Sequence, residues 1–234
     1  MIKKYYELNK TNLTNFNMFL IYGKNEGLQN DIISKFFLSE FNEIINNYEE
    51  NEFINNIDEI VNELRNKSLF ETRKLIIISR ATNKIYKFLK EILNEFTDDI
   101  KIIIKSSILD KKSKLRNLFE KENNILSIPV YEDTFKELLP IVNKFLTENK
   151  IRISRESINL LIDRASGDRE NLKKELDKIY NYSLSDKKID FEVIKKLSNL
   201  VENFGVNELA DNYLSHNKRA VYKILNENNY SNDD

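Results

Sequence analysis

Two aliphatic runs, KLIIIS at 74–79 and IKIIIK at 100–105, constrain the fold of this chain more than any other feature. Runs of this kind are typical of β-strands that are covered on both faces of a sheet. MFLIYG at 18–23, which ends in a turn glycine, and NILSIPV at 124–130 are two further candidate strands. The intervals between the strands carry apolar residues three and four positions apart, which predicts helices over 28–45, 55–66, 83–96 and 113–122. Strands that alternate with crossover helices indicate a doubly wound α/β domain with a mainly parallel sheet, here over residues 1–135.

A helical region follows the α/β domain. Amphipathic periodicity predicts helices over 133–148, 154–166, 168–183 and 190–199. In SGD at 166–168, Gly167 is expected to end one helix and Asp168 to cap the next. We therefore predict a small helical domain over 136–203. Two more amphipathic helices after Gly205 begin a third region, 204–234, which is incomplete as a domain by itself.

Charge and cysteine content exclude several classes of function. The chain has 37 basic and 38 acidic side chains, so no overall field attracts it to nucleic acid or to a membrane. It has no cysteine, which excludes disulfides, thiolate metal sites and cysteine nucleophiles. Its single histidine, His216, lies in a polar connector and is expected to be a solvated turn residue. No run reaches membrane-spanning length, and we expect a cytoplasmic protein.

The turn after the first strand, IYGKNEGLQNDII, is the place to look for phosphate binding in such a fold. A P-loop needs Gly, four residues and then Gly-Lys-Ser/Thr. Gly23 and Gly27 fit that pattern in part, but Leu28 and Gln29 stand where the lysine and the hydroxyl should be. The loop therefore lacks the side chains that would bind terminal phosphates and magnesium.

The acidic residue that such a site also requires is missing from the predicted strand ends. The central strands end in Ser79-Arg80 and Lys105-Ser106. Asp98-Asp99 precede their strand, at the edge of a parallel sheet that does not bind ligands. Glu49-Glu50 and Asp98-Asp99 are expected to be solvated charges. We predict no catalytic, cofactor-binding or metal-binding residues.

Five segments of the chain resemble the delta subunit of bacterial DNA polymerase III, the clamp-opening member of the clamp loader. They are FLIYGKNEGL at 19–28, SLFETRKLIII at 68–78, LDKKSKLRNLFEK at 109–121, IPVYED at 128–133 and GDRENLKKELDKIY at 167–180. The resemblance implies a RecA/AAA+-like domain without a working nucleotide site, a helical lid domain and the start of a helical collar domain. This chain departs from the family by carrying only the opening of the collar.

The resemblance also implies partners and a contact site. In this family a hydrophobic pair after a serine engages the sliding clamp (beta subunit), and Ser68, Leu69 and Phe70 match that element. The other loader subunits, gamma/tau and delta prime, would bind through the collar, and DNA would be reached indirectly within the assembled loader. The alternative for Leu69 and Phe70 is that they fold back onto the core as the first part of the following strand.

A basic cluster near the fifth predicted helix is a weaker candidate site. Lys111, Lys112, Lys114 and Arg116 could contact DNA phosphates, but a solvated helix face is the favoured interpretation because the net charge is close to zero.

The resemblance therefore implies a noncatalytic subunit of the DNA polymerase III holoenzyme, a nucleotidyltransferase, that opens the sliding clamp for loading onto primed DNA. An ATP-dependent enzyme with an atypical phosphate loop is the alternative, and an adaptor for another partner is a third possibility.

Overall fold

The computed structural model describes residues 1–38, 45–65, 74–93, 100–185 and 188–198, together with 209, 212–218, 221–222 and 225; residues 63–65 are described by their backbone only. The chain divides into two compact units. The first comprises 1–134 and the short segment 167–170, and the second comprises 135–166 and 171–234.

The first unit is built on a five-stranded sheet with the order β2-β3-β4-β1-β5. Its strands are Met18–Tyr22 (β1), Ile45–Glu49 (β2), Lys74–Ser79 (β3), Ile100–Ser106 (β4) and Ile125–Pro129 (β5). Every neighbouring pair of strands is parallel. The predicted α/β class with a parallel sheet is thus confirmed, and all carboxyl ends of the strands meet at one edge.

Helices cover both faces of this sheet. They are Glu26–Ile33 (α1), Glu50–Asn55 (α2), Ile57–Arg65 (α3), Tyr86–Ile92 (α4) and Lys114–Lys121 (α5). Shorter turns are the 3-10 segments Tyr5–Lys10, Leu13–Asn15 and Asn83–Ile85 and a π-helical turn at Ser34–Leu38. Side chains of β1 alternate between two apolar cores: Leu20 packs with the α4 and α5 side, and Phe19 packs with the α1 side. Burial on both faces explains why the central strands are almost continuously apolar.

The strand β2 was not predicted. The sequence indicated one helix over 28–45, whereas α1 ends at Ile33, the π-helical turn follows, and Ile45 already begins β2. The strand has the polar sequence INNYE, is an edge strand paired with β3 alone, and alternates between exposed and half-buried residues. An edge strand covered on one side only does not produce the aliphatic run by which the central strands were found.

A buried lysine interrupts the aliphatic run of β4. Lys101 is 7% exposed, and its Nζ donates hydrogen bonds to the carbonyl oxygens of Thr14 (2.9 Å) and Phe16 (2.7 Å) and to Oδ1 of Asn17 (3.1 Å). The ammonium group thereby pairs with oxygen acceptors of the loop that leads into β1. A buried charge is tolerated here because oxygen acceptors surround it.

The second unit is helical. Its helices are Phe135–Glu148 (α6), Arg155–Arg164 (α7), Arg169–Ser183 (α8), whose first two residues are grouped with the first unit, and Phe191–Leu197 (α9). Ser154 caps α7 and Asp190 caps α9 through side-chain oxygens that accept backbone N–H groups. The four helices share one apolar core, which includes Leu161 and Leu176.

Two smaller observations concern the C-terminal stretch and membranes. His216 is exposed and occupies a turn with φ 56°, as expected of a solvated turn residue. Among the helices in the described parts of the chain, none has the length and apolar character needed to cross a bilayer.

Candidate functional site

The turn between β1 and α1 lies at the carboxyl edge of the sheet, where a phosphate loop would bind a nucleotide. Gly23 ends the strand with φ 144°, and an added Cβ there would overlap the carbonyl oxygen of Val130. Asn25 is fully buried and caps α1, because its Oδ1 accepts the backbone N–H of Leu28 at 2.9 Å. Its Nδ2 donates to the carbonyl oxygen of Tyr131 and to Oδ2 of Asp133. The side chain of Asn25 therefore holds the turn between β1 and α1 in place.

A carboxylate of the chain itself occupies the start of α1. Asp168 Oδ2 accepts the backbone N–H of Glu26 at 2.8 Å, and its Oδ1 accepts the backbone N–H of Glu170 at 2.6 Å. An anion at a helix N-terminus is stabilised by the exposed N–H groups and by the helix dipole. Asp168 thus bridges the first turns of α1 and α8 with the charge that a phosphate would bring. The sequence predicted its cap of α8 but not its contact with α1.

Arg169 holds this segment in place through an ion-pair network. Its guanidinium forms a bidentate contact with Asp133 (Nε to Oδ2 2.7 Å, Nη2 to Oδ1 2.9 Å), and Nη1 donates to Asp31 Oδ2 at 2.8 Å. The side chains of Arg169 and Asp133 are only 14% and 3% exposed. Burial alone would lower the pKa of Arg169, but the hydrogen bonds to Asp133 and Asp31 outweigh it and raise that pKa above its ordinary value.

Gly27, the second glycine of the phosphate-loop pattern, has a packing role in this structure. An added Cβ would overlap the amide nitrogen of Glu170 and lie 2.5 Å from Cβ of Arg169. The absence of a side chain at Gly27 therefore allows the start of α8 to approach α1 closely. The glycine spacing that resembles a phosphate loop serves an internal contact here.

The two side chains at the positions of the P-loop lysine and hydroxyl point inward. Leu28 is buried in the α1-side core. Gln29 is 2% exposed, and its Nε2 donates to the carbonyl oxygens of Gly23 (2.9 Å) and Ser106 (3.1 Å). Gln29 therefore ties the loop to the end of β4 and presents no charge to a ligand.

The ends of the neighbouring strands also lack the geometry of a magnesium site. Arg80 follows β3 with φ 55°, and its Nε lies 3.8 Å from Glu49 Oε2. Lys105 Nζ donates to Asn30 Oδ1 at 2.8 Å, and Ser106 Oγ donates to the carbonyl oxygen of Ala81. In the described ranges no group of three or more His, Cys, Asp or Glu side chains could hold a metal ion.

The expectation that Glu49-Glu50 is a solvated acidic pair is wrong for Glu50. Glu50 is 6% exposed, and its carboxylate accepts hydrogen bonds from the backbone N–H and the hydroxyl of Thr82 and from the backbone N–H of Ile85. It caps the turn that leads into α4. The partner of Glu50 lies more than thirty positions away, so local spacing could not reveal it. Asp98-Asp99 lie outside the described residues.

The predicted clamp-binding residues Ser68, Leu69 and Phe70 also lie outside the described residues, between the end of α3 and the start of β3. The basic cluster is described, and its members differ. Lys111, Lys112 and Lys114 are exposed. Arg116 is half-buried, with its Nε 2.6 Å from Glu120 Oε1, its Nη1 donating to the carbonyl oxygen of Leu109, and its guanidinium over the ring of Tyr22.

Comparison with solved structures defines the class of fold. The Thermotoga maritima RuvB Holliday junction branch migration motor matches with a TM-score of 0.55 and 12% identity over 85% of this chain and 69% of that chain. Domain III of the T. maritima replication initiation protein DnaA matches with a TM-score of 0.50 and 16% identity over 82% and 87% of the two chains. The Bacillus subtilis DNA clamp loader delta protein gives a TM-score of 0.47 and 14% identity over 97% and 71%. The fold is an AAA+-like module.

The sequence comparison relates part of the chain to a known family. No curated protein matches the chain. Residues 19–129 match the family model described as DNA polymerase III, delta subunit. This match confirms the resemblance for the segments at 19–28, 68–78 and 109–121, which lie inside the matched range.

Proposed function

We propose that this chain is a noncatalytic clamp-loader subunit that binds the sliding clamp and opens it for loading onto primed DNA. The observation that carries the proposal is that the carboxylate of Asp168 occupies the N-terminus of α1. Helix α1 lies in the range that matches the delta-subunit family model. Asp168 supplies an internal carboxylate where a nucleotide would place a phosphate, and Leu28 and Gln29 replace the groups that would bind it. A subunit of this kind acts through protein contacts in the cytoplasm, while other loader subunits bind ATP.

The clamp contact is assigned to Leu69 and Phe70, which follow Ser68. Burying one such side chain in a pocket of a partner is worth roughly 1.5–3 kcal/mol, so an adjacent pair can anchor an interface. A pair that binds the open clamp more tightly than the closed clamp shifts the clamp toward the open state. Assembly with gamma/tau and delta prime is assigned to the collar region that begins at residue 204.

The experiment is a binding titration of this chain against the sliding clamp from the same source. The variant Leu69→Ala/Phe70→Ala should lose binding by at least roughly a hundredfold while keeping the thermal stability of the wild type. Tyr213→Ala/Leu214→Ala is a matched control, since it removes an adjacent aromatic–leucine pair that is 70% and 75% exposed. That control should bind like the wild type. Equal binding by the Leu69/Phe70 variant and the control would contradict the proposed clamp contact.

The ATP-dependent enzyme remains the second candidate, because Gly23 and Gly27 retain part of the glycine spacing of a phosphate loop. Nucleotide binding by the chain would distinguish this enzyme from a noncatalytic subunit.

A further inference from the structure

The second unit contains a pocket of about 510 Å³ where α6 and α8 end. Its walls are residues 148–152 at the end of α6 and beyond, Tyr180, Ser183 and Leu184 at the end of α8, and Ile189 before α9. All of these residues belong to the second unit, so the pocket is separate from the turn between β1 and α1. Its volume is within the range of pockets that bind ligands.

One wall of the pocket presents apolar side chains to solvent. Leu184 is 66% exposed and Tyr180 is 37% exposed. The ring of Tyr180 is held by an edge contact with Phe145, with ring centroids 6.5 Å apart. Ile151 is buried and Ile189 half-buried, and they add a less accessible part to the apolar lining. A large apolar side chain of a ligand would displace water from Leu184 and Tyr180, which favours binding.

The opposite property, positive charge, comes from the stretch that follows α6. Lys150 and Arg152 are exposed, and neither pairs with an acidic side chain in the described part of the chain. Glu148 is the acidic residue of this stretch, and its Oε1 lies 3.8 Å from Nζ of Lys144. Two cations therefore remain available to a ligand, and they favour an anionic one.

The carboxyl ends of α6 and α8 would oppose an anion, because the last carbonyl groups of a helix carry partial negative charge. Donors of the chain itself engage several of these groups. The carbonyl oxygen of Leu146 accepts the backbone N–H of Ile151 at 2.9 Å, and that of Tyr180 accepts the hydroxyl of Ser183 at 2.6 Å. The full charges of the two cations therefore dominate the pocket.

The composition of the second unit and the shape of the pocket narrow the class of ligand. Residues 135–166 and 171–198 contain 13 Lys and Arg against 9 Asp and Glu, although the whole chain carries a net charge of −1. The exposed walls suit a ligand that continues beyond the pocket better than an enclosed small molecule. An aliphatic side chain such as Leu184 offers no stacking surface to a nucleic-acid base, whereas a peptide supplies apolar side chains and carboxylates together.

We propose that this pocket binds an acidic peptide segment of a partner protein, with one large apolar side chain against Leu184 and Tyr180. The flanking carboxylates of the peptide bind Lys150 and Arg152 through charge-assisted hydrogen bonds. The inference goes beyond the proposed clamp contact and does not depend on it, because the residues of that contact lie in the first unit.

Fluorescence anisotropy with the labelled peptide DEDFEDE, in which acidic residues flank one phenylalanine, tests the proposal. The wild-type chain should bind this peptide, and replacing the phenylalanine by serine should weaken binding about tenfold, because the apolar anchor is lost. Leu184→Ala should weaken binding of the original peptide about fivefold. Leu214→Ala removes a leucine that is 75% exposed and lies outside the pocket, so it should bind like the wild type.

A second pair of variants tests the charges. Lys150 has φ 57°, a conformation that asparagine tolerates, so Lys150→Asn/Arg152→Gln removes both cations without straining the turn. This variant should bind the peptide about tenfold more weakly and with a smaller dependence on salt concentration. Lys173→Gln/Lys174→Gln removes two exposed lysines of α8 outside the pocket and should change binding less than about twofold. The Tm of each variant shows that it is folded.

Three results would overturn the proposal. They are no binding of the peptide by the wild-type chain at about 1 mM, equal binding by each pocket variant and its control, or displacement of the peptide by an oligothymidylate whose own binding requires Leu184. The last result would assign the pocket to nucleic acid. The clamp titration reports on the proposed function separately, because Leu184→Ala leaves the residues of the clamp contact in place and should bind the clamp like the wild type.

Discussion

Arg169 connects α1, the segment after β5 and the start of α8 through its ion pairs. Its guanidinium joins residues from three places in the sequence, Asp31 in α1, Asp133 after β5 and the start of α8. Asn25 also binds Asp133, so the same carboxylate orders both the turn after β1 and the segment at Arg169. Because the hydrogen bonds raise the pKa of Arg169, its ion pairs would be lost only as pH rises through that raised value, beyond the range in which proteins are usually studied.

Removing this guanidinium should destabilise the fold. Arg169→Met leaves the nearly buried Asp133 carboxylate without its bidentate partner, and we expect a loss of roughly 3 kcal/mol in the free energy of unfolding. Arg169→Lys cannot form the bidentate contact, and its free energy of unfolding should lie between those of Arg169→Met and the wild type. Urea denaturation measures each value.

Two further variants control this prediction. Arg155 is the first residue of α7, as Arg169 is of α8, but it is exposed, so Arg155→Met should change stability by less than about 0.5 kcal/mol. The double variant Asp133→Asn/Arg169→Met should lose less stability than the sum of its single variants, because no buried carboxylate is left unpaired and Asp31 is exposed to solvent. Similar losses in the free energy of unfolding for Arg155→Met and Arg169→Met would mean that the ion-pair network contributes little to stability.

At the scale of elements, the decisive contact joins the first turn of α1 to the first turn of α8. Asp168 accepts backbone N–H groups from both turns, and Gly27 allows them to approach. Two helix N-termini would ordinarily repel each other through their dipoles, and the shared carboxylate offsets that repulsion.

Gly27→Ala should therefore reverse the usual effect of such a substitution. Glycine to alanine inside a helix normally stabilises by up to about 1 kcal/mol. Here the methyl group meets the backbone of Glu170, which cannot rotate away, so we expect a net loss of about 1–3 kcal/mol. Thermal and urea denaturation measure it. Asn30→Ala, in the same helix, removes only an exposed hydrogen bond to Lys105 and should stay within about 0.5 kcal/mol of the wild type. A stabilised Gly27→Ala would refute the close contact.

The sequence predicted those elements whose pattern is set by burial on both faces. The runs in β3 and β4 are apolar because helices cover both sides, so their positions could be read directly. Strand β2 could not be predicted in this way, because an edge strand half-exposed to solvent can be polar. The Asp168–Glu26 bond spans 142 positions, and no local periodicity links residues so far apart. The cap of α8 by Asp168 was readable because it is local.

At the scale of the whole molecule, side chains of the first unit itself fill the position of the phosphate loop. The AAA+-like matches show the architecture, and residues 19–129 match the family model of the DNA polymerase III delta subunit. The edge of the sheet where a nucleotide would bind is held by bonds among Asn25, Asp168 and Arg169, so this part of the first unit keeps its shape by internal contacts. The residues of the proposed clamp contact belong to the same unit.

Mg·ATP should leave the thermal stability of this chain unchanged. A nucleotide that bound the folded chain at a hundred times its Kd would stabilise it by about 2.7 kcal/mol, which corresponds to a rise in Tm of roughly 5–10 °C for a chain of this size. We expect no such rise in Tm, because Asp168 already supplies an anion at the N-terminus of α1. In addition, the side chain of Leu28 is buried in the core, and that of Gln29 is hydrogen-bonded to the backbone of the chain.

Differential scanning calorimetry with and without Mg·ATP measures the change in Tm. The variant Asp168→Ala distinguishes the effect of the internal carboxylate from that of the missing lysine and hydroxyl. That variant frees the N–H of Glu26 and should lose about 1 kcal/mol of stability through the lost cap, yet Mg·ATP should still leave its Tm unchanged, because no lysine or hydroxyl replaces Leu28 and Gln29. A rise confined to Asp168→Ala would show that the internal carboxylate alone excludes nucleotide. A rise in the wild type would favour the ATP-dependent enzyme, since a chain that gains stability from Mg·ATP must hold a nucleotide site that its loop chemistry does not reveal.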